Sequence, residues 1–144
     1  MKNVTLECRQ EFYDNGKIYS EEYFLDDKLH NPNGVAETTW HRNGQILLET
    51  YYIHGKLHNE DGIALRTWFD NGQIATEQYF LDDKLHNENG IAFKSWNPAG
   101  QIYSEEYYLD GERIRKEEFD NIKFKPCHNK TVEVDGVKYK LTAI

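Results

Sequence analysis

The sequence predicts an all-β protein, an elongated, single-layer antiparallel meander of repeated β-hairpins. Three observations predict it. Residues recur every 28 positions: Phe12, Trp40, Trp68 and Trp96, then Gly16, Gly44, Gly72 and Gly100, with Ile18, Glu21 and Tyr23 heading further series. The unit beginning at Trp40 matches the unit beginning at Trp68 at 15 of 28 positions, which excludes coincidence. Glycine-containing turn dipeptides punctuate each copy, and no stretch holds a helical period over 11 residues. Repetition of this kind marks stacked supersecondary units, each burying its surface on a neighbour.

The units begin at 12, 40, 68 and 96. A strand-like run that starts just after a glycine leads into the last three (35–40, 63–68 and 91–96). These runs end at Asn43-Gly44, Asn71-Gly72 and Ala99-Gly100, and Asn15-Gly16 matches them. Asn-Gly between strands signals a two-residue type I′ hairpin, whose central residues both need positive φ. That turn sets Trp68 opposite Ala75, Arg66 opposite Glu77, Trp96 opposite Tyr103 and Lys94 opposite Glu105. A basic residue then faces the repeated glutamate in two hairpins, the pairing a sheet favours, while Thr38 takes the basic place in the second unit. A second turn follows at His54-Gly55, Asp82-Asp83 and Asp110-Gly111, placing Tyr79 opposite His86. Gly34, Gly62 and Gly90, with Asn43, Gly44, Asn71 and Gly72, are read as structural turn residues. The fourth copy decays after Asp110-Gly111, as terminal repeats do. The expected division is a repeat sheet over 1–120 and a capping β-hairpin over 121–144, turning at Asp135-Gly136.

The 144 residues carry 17 Lys plus Arg against 25 Asp plus Glu, a net charge of -8. Residues 121–144 are basic by +3, leaving -11 on residues 1–120. An acidic surface of that size argues against direct binding to nucleic acid or anionic lipid and permits a basic protein partner. Aromatics at 14% argue against wholesale disorder despite a mean hydropathy of -0.85. No apolar run suits a transmembrane helix, and the first eleven residues lack the apolar core of a signal peptide, so a cytoplasmic location is expected. Cys8 and Cys127 form no metal or redox motif.

The segments 55–62 and 83–90, Gly-Lys-Leu-His-Asn-Glu-Asp-Gly and Asp-Lys-Leu-His-Asn-Glu-Asn-Gly, resemble the MORN repeat. Lys56, His58, Gly62 and Trp68 sit on the places of its Gly-Lys-x-His-Gly-x-Gly core and following aromatic. Asn59 stands where the family has a glycine after the histidine, and the spacing is longer than usual. The chain is thus similar to variant MORN-like proteins, including the YwqK-type antitoxin group, over about residues 12–111. The resemblance implies a long antiparallel sheet used for contact with protein or phospholipid, without catalysis, and an antitoxin or immunity-like role.

The histidines His30, His58 and His86 repeat one per unit, roughly 10 Å apart in a stacked sheet. Zinc needs donors about 2.0–2.1 Å from one ion, so the histidine row forms no single site and no metal is expected. Each histidine is expected to hydrogen-bond the polar turn that follows it. Glu49, Glu77 and Glu105 are similarly spaced, too far apart for paired carboxylate catalysis. The expected partner-binding residues are Trp40, Trp68 and Trp96, Tyr51, Tyr79 and Tyr107, and Glu49, Glu77 and Glu105, since tryptophan and tyrosine favour interfaces. No cofactor is expected, no catalytic residue stands out, and a homo-oligomer stays open. Two other functions fit the composition: a dimer that sequesters a small ligand or nucleotide, and an acidic mimic of nucleic acid.

Overall fold

The structure, a computed structural model, describes residues 5–123, 131–134 and 137–140. The chain forms two compact units, Met1–Arg113 and Ile114–Ile144.

The first unit holds β1 (Glu7–Phe12), β2 (Ile18–Leu25) and β3 (Lys28–Leu29). The next repeat supplies β4 (Glu37–Trp40), β5 (Ile46–Thr50), β6 (Tyr52–Ile53) and β7 (Lys56–Leu57). The third gives β8 (Leu65–Trp68), β9 (Ile74–Gln78), β10 (Phe80–Leu81) and β11 (Lys84–Leu85). The last gives β12 (Phe93–Trp96), β13 (Ile102–Leu109) and β14 (Glu112–Ile114). The main sheet runs in the order β1-β2-β4-β5-β8-β9-β12-β13-β14, with β3 beside β2, so it is the meander that the repeats imply. β6-β7 and β10-β11 are short separate hairpins that continue β5 and β9 past Tyr51 and Tyr79.

Each repeat therefore contains two turns, and their types are the reverse of the simplest sequence reading. At Asn71-Gly72 the Phe69 carbonyl accepts the Gly72 N–H at 2.9 Å, and the Phe69 N–H reaches the Gln73 carbonyl at 2.8 Å. Only Gly72 has positive φ (+82°), so the loop has three residues, a turn closed by a glycine bulge. The Asn71 side chain explains this choice: its Oδ1 accepts the Gln73 N–H at 3.0 Å, an Asx-type bond that holds the asparagine out of the left-handed region. The same arrangement recurs at Asn15 and Asn43. The extra loop residue shifts the register between Thr67 and Trp68, so Trp68 pairs with Ile74, not Ala75, and Trp96 with Ile102, not Tyr103. Beyond the bulge the expected pairs hold: Arg66 faces Glu77 and Lys94 faces Glu105.

The two-residue type I′ geometry occurs instead at the second turn. Asp26 and Asp27 (φ 49° and 57°), His54 and Gly55 (51° and 79°), Asp82 and Asp83 (49° and 67°), and Asp110 and Gly111 (52° and 85°) all have positive φ at both centres. Aspartate tolerates that region better than most side chains, which is why Asp-Asp can replace a glycine-containing pair.

Few large side chains are fully buried in the repeats. Ala36, Ala64 and Ala92 are completely buried, and Ser20, Thr39, Thr50 and Ser95 are nearly so. Each alanine carbonyl accepts a tyrosine N–H from one neighbouring strand, and its own N–H donates to the other: Ala64 accepts from Tyr51 at 2.8 Å and donates to the Gln78 carbonyl at 2.9 Å, and Ala92 accepts from Tyr79 and donates to the Glu106 carbonyl, both at 2.9 Å. Large and small residues thus alternate across the sheet.

In the second unit an α-helix, α1, spans Lys116–Lys123, which the sequence reading does not foresee. Glu118 reaches back to accept the Arg115 N–H at 3.1 Å, half of a capping box, and Glu117 and Glu118 suit the positive helix start. Strands β15 (Thr131–Val134) and β16 (Val137–Lys140) pair antiparallel, giving the expected hairpin; its turn residues Asp135 and Gly136 lie outside the described residues. Among the described residues, no helix is long and apolar enough to cross a membrane.

Candidate partner-binding face

Register places one residue per strand in a continuous row across the sheet: Gln10, Glu21, Thr38, Glu49, Arg66, Glu77, Lys94 and Glu105. The second half of the row is an alternating charge ladder. Arg66 binds Glu77 Oε1 through Nε at 2.9 Å and through its terminal nitrogen at 2.7 Å. Lys94 Nζ lies 2.8 Å from Glu105. Each cation also leans on the tryptophan two residues further along its strand. The Arg66 guanidinium is 5.8 Å from the Trp68 ring centre, and the Lys94 ammonium is 5.3 Å from that of Trp96.

In the first half of the row the cations are missing. Gln10 Nε2 donates to Glu21 at 2.6 Å, and Tyr23 donates its hydroxyl to the other Glu21 oxygen at 2.9 Å. That bond to a carboxylate is the main reason the Tyr23 phenol is held above its ordinary pKa. Glu21 and Glu49 flank Thr38, which carries no charge.

The expected aromatic residues share this face. Trp40, Trp68, Trp96, Tyr51, Tyr79 and Tyr107 are all half-buried, so their rings are neither core nor fully free. Glu49 and Glu77 are half-buried too, and Glu105 is exposed. Tyr51 also lines an open cleft of about 460 Å³ with Pro32, Ile53, His58, Glu60 and Asp61. A smaller recess of about 150 Å³ adjoins it, shared by Glu49, Tyr51, Asn59, Ile63 and Arg66.

Sequence reasoning missed the loop side of that cleft. Asn59 braces it: its side-chain amide donates to the Ile63 carbonyl at 2.8 Å and its Oδ1 accepts the Asp61 N–H at 3.2 Å. Asn31 and Asn87 make the same bonds in their loops. The recurrence of asparagine three residues before Gly34, Gly62 and Gly90 was the available signal. Those glycines lack positive φ, so the asparagine side chain shapes the loop without a left-handed backbone.

The histidines hydrogen-bond the next repeat and not the loops that follow them, though His58 Nε2 also lies 3.7 Å from Glu60 in its own loop. His30 Nδ1 accepts the N–H of His54 at 3.0 Å, His58 Nδ1 that of Asp82 at 3.3 Å, and His86 Nδ1 that of Asp110 at 3.0 Å. The acceptor lies in one repeat and the donor in the first residue of the next repeat's type I′ turn. They are inter-repeat ties, joined by backbone bonds such as Gly55 N–H to the Leu29 carbonyl at 2.8 Å.

The family model for the MORN repeat variant matches residues 8–26. That stretch contains Gly16, Ile18, Glu21 and Tyr23, which recur at 28-residue intervals, so the chain carries MORN-like repeats. Comparison with curated proteins finds no match, and neither does comparison with solved structures.

Proposed function

We propose that the protein is a non-enzymatic binding module that engages another protein, basic in character, through the face bearing the tryptophan, tyrosine and glutamate rows. One observation carries the reading: six half-exposed tryptophan and tyrosine rings share one face with repeated carboxylates, in a segment of charge -11. Rigid aromatic rings are typical anchors of interfaces, and charge of one sign steers the opposite sign. The MORN-like repeats support a binding role over catalysis. An antitoxin or immunity-like role, in the cytoplasm, is the finer form of the proposal and rests on the resemblance to that group of repeat proteins.

The test is affinity capture from the native source, followed by binding measurements with the isolated partner. Trp68→Ala and Tyr79→Ala are expected to weaken the complex by at least about tenfold each, as interface anchors do. Wild-type affinity in both variants would overturn the assignment of this face.

A second reading draws on the cleft beside Tyr51, whose volume of about 460 Å³ is of the size that holds small ligands. A small molecule retained in native mass spectrometry, lost in Tyr51→Ala, would favour sequestration of a ligand.

A further inference from the structure

The repeats can be compared with one another, and the comparison exposes a gap. In the third and fourth repeats the place beside the glutamates holds a cation, Arg66 or Lys94, with a tryptophan ring at its side. In the second repeat the same place holds Thr38. Its surroundings are otherwise kept: Glu21 on one neighbouring strand, Glu49 on the other, and Trp40 two residues along. Arg66 faces Glu49 from the β8 side but forms its ion pair with Glu77; among the described residues no cation forms an ion pair with Glu49, and none lies over the Trp40 ring.

From this gap we infer that the space above Thr38 is a docking site for one arginine or lysine side chain of a protein partner. The inference deepens the proposed function and rests on it: it names where the basic partner places its charge. The precedent is Arg66, which stands between Glu49 and Glu77 in the row and bonds Glu77; here the cation is supplied from outside. Neighbouring strands lie about 4.8 Å apart, so Glu21 and Glu49 stand roughly 9.6 Å from each other with Thr38 between. A guanidinium centred over Thr38 is within hydrogen-bond reach of carboxylates on both sides, and its plane can lie against the Trp40 ring. Glu21 already accepts two neutral donors, Gln10 and Tyr23, which fix its carboxylate without neutralising it. Threonine is much shorter than the Arg66 or Lys94 that takes this place in the later repeats. The chemistry therefore selects a cationic side chain, with arginine preferred over lysine because its planar fork can bridge two acceptors.

Thr38→Lys provides the test, because it restores the residue type of the later repeats and so preserves the fold while filling the site from within. The probe is a fluorescein-labelled hexa-arginine peptide, with a citrulline peptide of equal length as the uncharged control, titrated at low salt. The wild type is expected to bind the arginine peptide, with NMR shifts centred on Thr38, Trp40 and Glu49. Thr38→Lys and Glu49→Gln are each expected to weaken binding about tenfold or more. Equal affinity in Thr38→Lys, shifts centred elsewhere, equal binding of the citrulline peptide, or no binding would overturn the inference. Failures remain distinguishable. If the natural partner depends on Trp68 and Tyr79 but ignores Thr38→Lys, the binding face stands and the site above Thr38 falls. If it ignores all three, both fall.

Discussion

The imidazole of His30 accepts the backbone N–H of His54, 24 residues later, at 3.0 Å. His30 is only 7% exposed, and burial, followed by the nearby His54 ring, pushes its pKa below the ordinary 6.5. Its neutral form is the one that can accept this bond. His58 and His86 differ, because each Nδ1 also lies near an aspartate carboxylate, at 3.1 and 3.3 Å.

Acid should therefore loosen the first repeat junction. The native pKa of His30 is depressed, so the unfolded chain takes up the proton first as pH falls. Its contribution is complete above about 6.5 and is lost as pH drops through the depressed native value. The urea midpoint should be lower at pH 5.5 than at 7.5. Replacement of His30 by Ala should cost about 1 kcal/mol at pH 7.5, through the lost acceptor, and reduce this pH dependence. An unchanged slope in the variant would assign the acid sensitivity to other groups.

The two classes of glycine should respond oppositely to alanine. Gly72 has φ +82°, and an added Cβ would lie 3.1 Å from the Gln45 side-chain amide. The amide can move, but the backbone strain stays, so Gly72→Ala should cost about 1 kcal/mol or more. Gly90 lacks positive φ, and its Cβ would meet nothing within 4 Å. Gly90→Ala should be neutral or gain up to about 1 kcal/mol by restricting the unfolded chain. Paired thermal melts decide this, and equal losses would refute the distinction.

Glu22→Gln should stabilise the protein at neutral pH. Glu22 is directly opposite Glu37 on the adjoining strand. Burial, then the charges of Glu37 and Glu11, raise its pKa. A raised native pKa means that the folded state holds the proton longer, so this group's relative stability declines as pH rises through the native value. Replacing the Glu22 carboxylate by an amide removes a buried acid and its like-charge contact with Glu37, and at pH 7 should gain a few tenths to about 1 kcal/mol. The gain should vanish near pH 3, where both forms are neutral; a pH-independent gain would point to a cause other than charge.

The parts of the fold legible from the sequence are those set by period. The 28-residue spacing delivered the meander, and the hairpin register counted from the turns delivered the Arg66–Glu77 and Lys94–Glu105 pairs. What depended on a side chain bonding its own backbone was misjudged. Asn71 and its relatives changed the turn type and slipped Trp68 by one partner. Ala36, Ala64 and Ala92 recur at the same 28-residue interval, yet their complete burial was not legible, because a methyl side chain gives no strong apolar signal. Helix α1 escaped because eight residues with a single buried ring, Phe119, present too short a stripe. The candidate face was legible as a list of aromatics and carboxylates. The vacancy at Thr38 became meaningful only once register placed Glu21 and Glu49 on both sides of it.

The histidine ties and the carbonyl bonds beside them join each repeat to the next one only. Such a chain of nearest-neighbour couplings behaves like a zipper. Opening must begin where a repeat has one neighbour and advance inward one junction at a time. Amide exchange in the first unit should therefore be slowest around Tyr51 and Ala64, in the middle of the array, and quickest in β1. A partner that grips the second repeat would clamp the zipper near its centre and slow both directions of travel.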